Sequence, residues 1–143
     1  MASENSTLTY QGFEVIKILH DRGDLDISDK GGDFRVNVKY LCNVNNDSHN
    51  DFLIVFIVTI THTVSATFNF QVEAFGKFNI NGEPESTVYY NLTEISAPSI
   101  VYPYLRAFIS NVAIQSGLEP IFIPALNFAQ RREDIIRSDS SDL

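Results

Sequence analysis

Residues 34–80 decide the fold: FRVNVKYLCNV (34–44), NNDSHND (45–51), FLIVFIVTITHTV (52–64) and, after Ser65-Ala66, TFNFQVEAFGKFNI (67–80). In the first of these, Phe34, Val36, Val38, Tyr40, Cys42 and Val44 alternate with Arg35, Asn37, Lys39, Leu41 and Asn43. A period of two with one apolar face is the pattern of a half-buried strand. The next strand carries Phe52, Ile54, Phe56, Val58, Ile60, His62 and Val64 on one face; the other starts with Leu53, Val55 and Ile57 and ends with Thr59, Thr61 and Thr63. The last sets Phe68, Phe70, Val72, Ala74, Phe78 and Ile80 against Thr67, Asn69, Gln71, Glu73, Lys77 and Asn79, with Phe75 as the exception on the polar side. Short connections join the three into an antiparallel meander. One apolar face cannot stand in water, so a helix or a second sheet must cover it.

Towards the N-terminus, QGFEVIKIL predicts a further strand at about 10–19, preceded by frayed residues 1–9. Phe13, Val15 and Leu19 fall on one of its faces, Ile16 and Ile18 on the other. HDRGDLDISDKGGD then reads as a long solvated connection. Towards the C-terminus, residues 83–98, with Pro84, Tyr89, Tyr90 and Pro98, read as an aromatic crossover. SIVYPYLRAFISNVAIQSG predicts a helix over about 99–116, with Ser99 as N-cap, Pro103 near the first turn and Gly117 as the stop. Val101, Leu105, Phe108, Ile109 and Val112 form its apolar stripe, widened by Ile100, Tyr104 and Ala107. EPIFIP is extended, NFAQRREDIIR predicts a short second helix at about 127–137, and residues 138–143 form a solvated, disordered tail. The expected class is α+β: a four-stranded antiparallel sheet with one long and one short C-terminal helix on one face, in a single domain spanning 1–143.

Composition narrows the function. The chain has 143 residues and a net charge of −8. So acidic a balance argues against direct nucleic-acid binding, which draws its affinity from Lys and Arg on phosphates. One cysteine, Cys42, excludes an internal disulfide framework or a cysteine zinc cage, and reads as a small buried hydrophobe. The polar start MASENSTLTYQ holds no basic and apolar leader, and the longest apolar run, Phe52–Val58, is far shorter than a membrane helix. A cytoplasmic protein without membrane insertion is expected. His20, His49 and His62 form no metal-ligand pair, and no phosphate loop or nucleophile elbow occurs, so neither a metal, a cofactor nor an enzymatic activity is expected. Asp24, Asp26 and Asp29 resemble a fragment of a calcium loop but lack its terminal Glu, which leaves a solvated acidic loop. Against this stands a surplus of apolar residues, eleven Phe and six Tyr among them, that one long helix and a stub cannot hide. Large exposed apolar surface marks an interaction site. The residues alone leave open an obligate oligomer, a hydrophobic binding groove, or a small-molecule pocket in the aromatic crossover.

The stretch Ala97-Pro98-Ser99-Ile100-Val101-Tyr102-Pro103-Tyr104-Leu105-Arg106 resembles the start of the long helix in the SecB family of export chaperones. Pro120-Ile121-Phe122-Ile123-Pro124-Ala125-Leu126-Asn127-Phe128 resembles that family's linker, which ends in an apolar-Asn-Phe triplet. Val58-Thr59-Ile60-Thr61 and Gly76-Lys77-Phe78-Asn79-Ile80 resemble its third and fourth strands, so the likeness spans about residues 10–137. It implies a homotetramer, a dimer of dimers with the long helices between the sheets. The implied subunit interface is Phe13, Val15, Val101, Leu105, Phe108 and Val112. It implies ATP-independent binding of unfolded clients in grooves formed here by Tyr89, Tyr90, Leu92, Ile121, Phe122 and Phe128. Export members dock the SecA translocase motor through acidic groups on the outer sheet face. Here the matching position is Gln71, with Asn69 two before it and Glu73 offset, and the tail is shorter. That departure favours the branch dedicated to an antitoxin of a toxin–antitoxin–chaperone system over a general export chaperone.

Overall fold

Alternation of side chains builds the sheet as its sequence dictates. A computed structural model describes residues 6–25, 32–119, 121–131 and 136–139. Strands β1 (Thr7–Asp21), β2 (Phe34–Val44), β3 (Asp51–His62) and β4 (Asn69–Asn81) pair antiparallel, and β5 (Ile136–Asp139) joins in parallel, in the order β1-β4-β3-β2-β5. The even positions of β2, β3 and β4 make the buried face, including Tyr40, Cys42, Phe56, Val58, Val72 and Phe78. The outer face is polar at the Thr59 end. It is apolar in the middle, where Leu41, Val55 and Phe75 lie in one cross-strand row.

The loop between β2 and β3 closes as the run of Asn, Asp and Ser requires. The Asn45 side-chain carbonyl accepts the Asp47 and Ser48 amides at 2.8 and 3.2 Å, and the Asn45 amide donates to the Asp51 carbonyl at 2.9 Å. At the opposite end of the sheet, Asp24 fastens the β1–β2 connection to the β3–β4 turn. Its carboxylate accepts the Ser65 and Thr67 hydroxyls, which hold it below the ordinary carboxylate range. Asp26 and Asp29 lie outside the described residues.

β1 departs from its simple alternation. Two bulges, between Tyr10 and Gly12 and between Val15 and Lys17, each insert a residue and reverse the parity. Leu8 and Tyr10, then Phe13 and Val15, then Ile18 and His20 therefore stand opposite the inward positions of β4, whereas Leu19 stands opposite Gln71. The expectation that Leu19 shares a face with Phe13 is corrected by the second bulge. Residues 7–9, expected to fray, pair with Asn79–Asn81 and extend the strand.

The crossover is helical. α1 (Ser86–Asn91) runs through a π-helical turn (Leu92–Ser96) into α2 (Ala97–Gln115) without a break. Ser99 is thus not an N-cap but an interior residue, its hydroxyl donating to the Ile95 carbonyl at 2.6 Å. Pro103 sits inside α2 rather than in its first turn. The wider turn lets the Ala97 amide reach back five residues to the Leu92 carbonyl, just before Pro98, which has no amide to donate. α2 ends where expected. Gly117, at φ 83°, donates to Ile114, and Leu118 donates to Ala113 at 3.0 Å, a Schellman closure.

α2 lies on the inward face through Ala97, Val101, Leu105, Ile109 and Ala113, every fourth residue, all fully buried. It comes closest at Gly76 of β4, where any Cβ would collide with the Val101 side chain. The short second helix expected over 127–137 does not form among the described residues. Asn127 caps a single turn, its carbonyl accepting the Gln130 and Arg131 amides at 3.1 Å, and Ile136–Asp139 then pair with Leu41–Val44. Ser138 and Asp139, expected in a disordered tail, therefore lie in a strand, while residues 140–143 are outside the described residues. An edge strand offers its amides and carbonyls to a further strand, and Leu41–Val44 of β2 takes up this segment.

Candidate client-binding surface

The linker after α2 is pinned from beneath by two tyrosines. The Tyr102 hydroxyl donates to the Pro124 carbonyl at 2.5 Å, and the Tyr40 hydroxyl donates to the Arg131 carbonyl at 2.6 Å. Their rings meet Phe128 edge-on at 5.4 and 5.2 Å, with Phe56 closing the cluster. Burial pushes the Tyr102 hydroxyl up to about 12, against the pull of the Arg106 and Arg131 charges. The Arg106 guanidinium lies 5.8 Å from the Tyr102 ring centre.

An extended segment held this way alternates. Ile121 and Ile123 turn inward and are buried, while Phe122 between them is 87% exposed. Beside it runs a shallow groove of about 280 Å³ lined by Pro103, Arg106, Ala107, Ser110, Ile121, Phe122 and Ile123. The groove joins Phe122 to the outward face of α2, where Ile100, Tyr104 (51% exposed), Ala107 and Ile114 (54%) recur at helical spacing. The helix is apolar on both sides. That stripe is the feature sequence reasoning passed over: its period is in the sequence, but it reads there as a mere widening of the buried one.

The six residues expected to bind clients fall into four groups. Phe122 is exposed beside its groove, whereas Ile121 and Phe128 belong to the core. Tyr89 and Tyr90 line a second groove of about 370 Å³ with His49, Asn50, Glu83, Pro84 and Ser86, which shares no residue with the first. The Tyr89 hydroxyl donates to the His49 carbonyl at 2.8 Å, and the Tyr90 ring leans edge-on against Tyr89 at 5.5 Å. Leu92 is half-buried and packs on the core.

The residues expected between subunits also divide. Val101 and Leu105 are 0% exposed within one protomer, packed beneath α2, and offer nothing to a second copy. Phe13, Val15, Phe108 and Val112 are half-buried; Phe13 meets Tyr104 and Phe108 at 6.2 and 6.5 Å along the flank of the helix. Within the protomer, the uncovered side of α2 carries Ile100, Tyr104 and Ile114. Among the described residues no cluster of three or more His, Cys, Asp or Glu could hold a metal ion, and no helix is long and apolar enough to cross a membrane.

Comparison with known proteins points one way. The family model for SecB, described as preprotein translocase subunit SecB, matches residues 27–133. The protein-export protein SecB of Ralstonia pickettii is 37% identical over 79 residues, covering 54% of this chain and 45% of that protein. The protein-export protein SecB of Ralstonia nicotianae is 35% identical over 89 residues, covering 61% and 51%. The chain spans about half the length of the curated relatives it matches. Among solved structures, the Mycobacterium tuberculosis Rv1957 SecB-like chaperone, in complex with a ChAD peptide from the Rv1956 HigA1 antitoxin, aligns with a TM-score of 0.66. The alignment covers 83% of this chain and 90% of that one at 10% identity, a likeness of fold.

Proposed function

The chain belongs to the SecB family, and from that premise we propose that it is an ATP-independent holdase, acting in the cytoplasm, that shields apolar segments of unfolded clients. The observation that carries this reading is Phe122, 87% exposed beside a groove that Pro103, Ala107, Ile121 and Ile123 also line. A chain with net charge −8 has ample polar surface, so leaving Phe122, Tyr104 and Ile114 uncovered points to a partner. The outward stripe of α2 accommodates sister subunits in a homotetramer, and Phe122 with Tyr90 remains for the client. Aromatic anchors with little sequence demand suit varied, extended guests. Binding and release of this kind need no catalytic group.

The preferred client is an antitoxin. The Mycobacterium tuberculosis neighbour carries an antitoxin peptide, and the outer face here differs from the acidic surface that motor docking uses. Gln71 stands opposite Leu19 and Thr59, and the Glu73 row runs Lys17–Glu73–Ile57–Lys39, a carboxylate between two lysines. The second reading, general export with delivery to SecA, is favoured by the names of the sequence relatives. Light scattering on the eluted protein, followed by an aggregation assay without nucleotide, tests the holdase. The expected result is a tetramer that slows aggregation of a denatured client. A tetramer that protects no client, including any antitoxin encoded beside it, sinks the reading. A pull-down with SecA then separates the two clients: capture favours export, and antitoxin capture alone favours the dedicated role.

A further inference from the structure

Among the described residues, the β2 edge is paired over only part of its length. β5 pairs with Leu41–Val44, whereas among the described residues no strand lies along the same edge at 34–39. An open edge presents N–H and C=O groups to any extended chain that reaches it. Its present occupant is weak. β5 is four residues long and joins in parallel, the less stable ladder, and the sequence that follows Ile136 is RSDSSDL, rich in poor strand formers. The strand beneath is firm by contrast, with Tyr40 and Cys42 buried and the Tyr40 ring stacked on Phe56 at 5.7 Å. The tail can therefore leave without loosening the core. The edge lies next to the linker, because the buried Tyr40 ring touches Phe128 and its hydroxyl donates to the Arg131 carbonyl.

We infer that Ile136–Asp139 is a built-in occupant of a strand-addition site, displaced when an extended client segment pairs along Phe34–Val44. This rests on the holdase reading and adds how the client is gripped. Main-chain pairing supplies affinity with little sequence demand, and side-chain alternation supplies the selection. β2 alternates inward Val36, Val38 and Tyr40 with outward Asn37 and Lys39, so the fitting guest alternates apolar with polar residues. The tail competes with it, and apparent affinity falls by the fraction of edge left free.

The chain supplies its own test. Cys42, the only cysteine, stands opposite Arg137 in the ladder. Neighbouring strands lie about 4.8 Å apart, within the roughly 4.4–6.8 Å that a disulfide spans between Cα atoms. Oxidised full-chain R137C thus ties the tail to the edge, and reduction frees it. The probe is a fluorescent peptide alternating Val with Lys or Thr, paired with a version N-methylated at every second amide. Oxidised R137C is expected to bind the plain peptide about 10-fold more weakly than reduced R137C, and a chain ending at Ile135 to bind it about 3–10-fold more tightly than the wild type. The N-methylated peptide should lose these differences. Equal binding by oxidised and reduced protein, or failure of the folded variant to form the crosslink, overturns the inference and leaves the holdase reading standing. Failure of every form to bind peptide or slow aggregation removes both.

Discussion

Gly76 shows what one missing side chain permits. Its bare Cα lets Val101 of α2 sit on β4, and G76A forces the helix away from the sheet. A loss of about 1–3 kcal/mol is expected, read as a lower urea midpoint with unchanged slope. Tyr102 is the second such position. Its hydroxyl is pushed from the ordinary 10.0 up to about 12, because burial disfavours the anion. Stability from the neutral hydroxyl is therefore complete below pH 10 and is lost as pH rises towards 12. Thermal scans of Tyr102→Phe across that window should lose much of the wild-type slope; an identical slope would show that Tyr102 does not titrate in the folded protein. The sequence makes both residues visible but not their roles. Gly76 interrupts an alternation without saying that a helix crosses there, and Tyr102 sits in an apolar stretch without saying that Pro124 lies above its hydroxyl.

At the scale of elements, β2, β3 and β4 are legible because alternation is a local property and each of them carries it intact. The bulges in β1 are not, since an extra residue shows only in the register with β4. The crossover was misread for a physical reason. Pro84 and Pro98 look like breakers, yet the π-helical turn Leu92–Ser96 absorbs the amide that Pro98 lacks, so the helix starts at Ser86. Within NFAQRREDIIR only a single turn at Asn127 forms among the described residues, and the β2 edge offers Ile136–Asp139 a competing ladder. The linker keeps its extended alternation, and that yields a paired prediction. Ile121→Ala should cost about 2–5 kcal/mol by opening the core, whereas Phe122→Ala should leave the melting curve within about 0.5 kcal/mol of wild type yet weaken client binding. Equal client binding by wild type and Phe122→Ala would remove Phe122 from the surface.

For the whole molecule, the surplus of apolar residues reads in the sequence as a need for partners, but which side of α2 stays uncovered in the protomer does not. Both faces of α2 are apolar, and only the position of the sheet decides that Val101 and Leu105 face inward and Tyr104 and Ile114 outward. Tyr104→Asp, at an exposed position, should split the assembly into smaller species by light scattering while each protomer keeps its far-ultraviolet spectrum. A tetramer unmoved by that charge would place the subunit contacts elsewhere. If α2 joins subunits as proposed, assembly adds to the stability of each protomer by mass action. Such a protein has no single melting temperature; diluting the sample should lower it, and concentrating it should raise it.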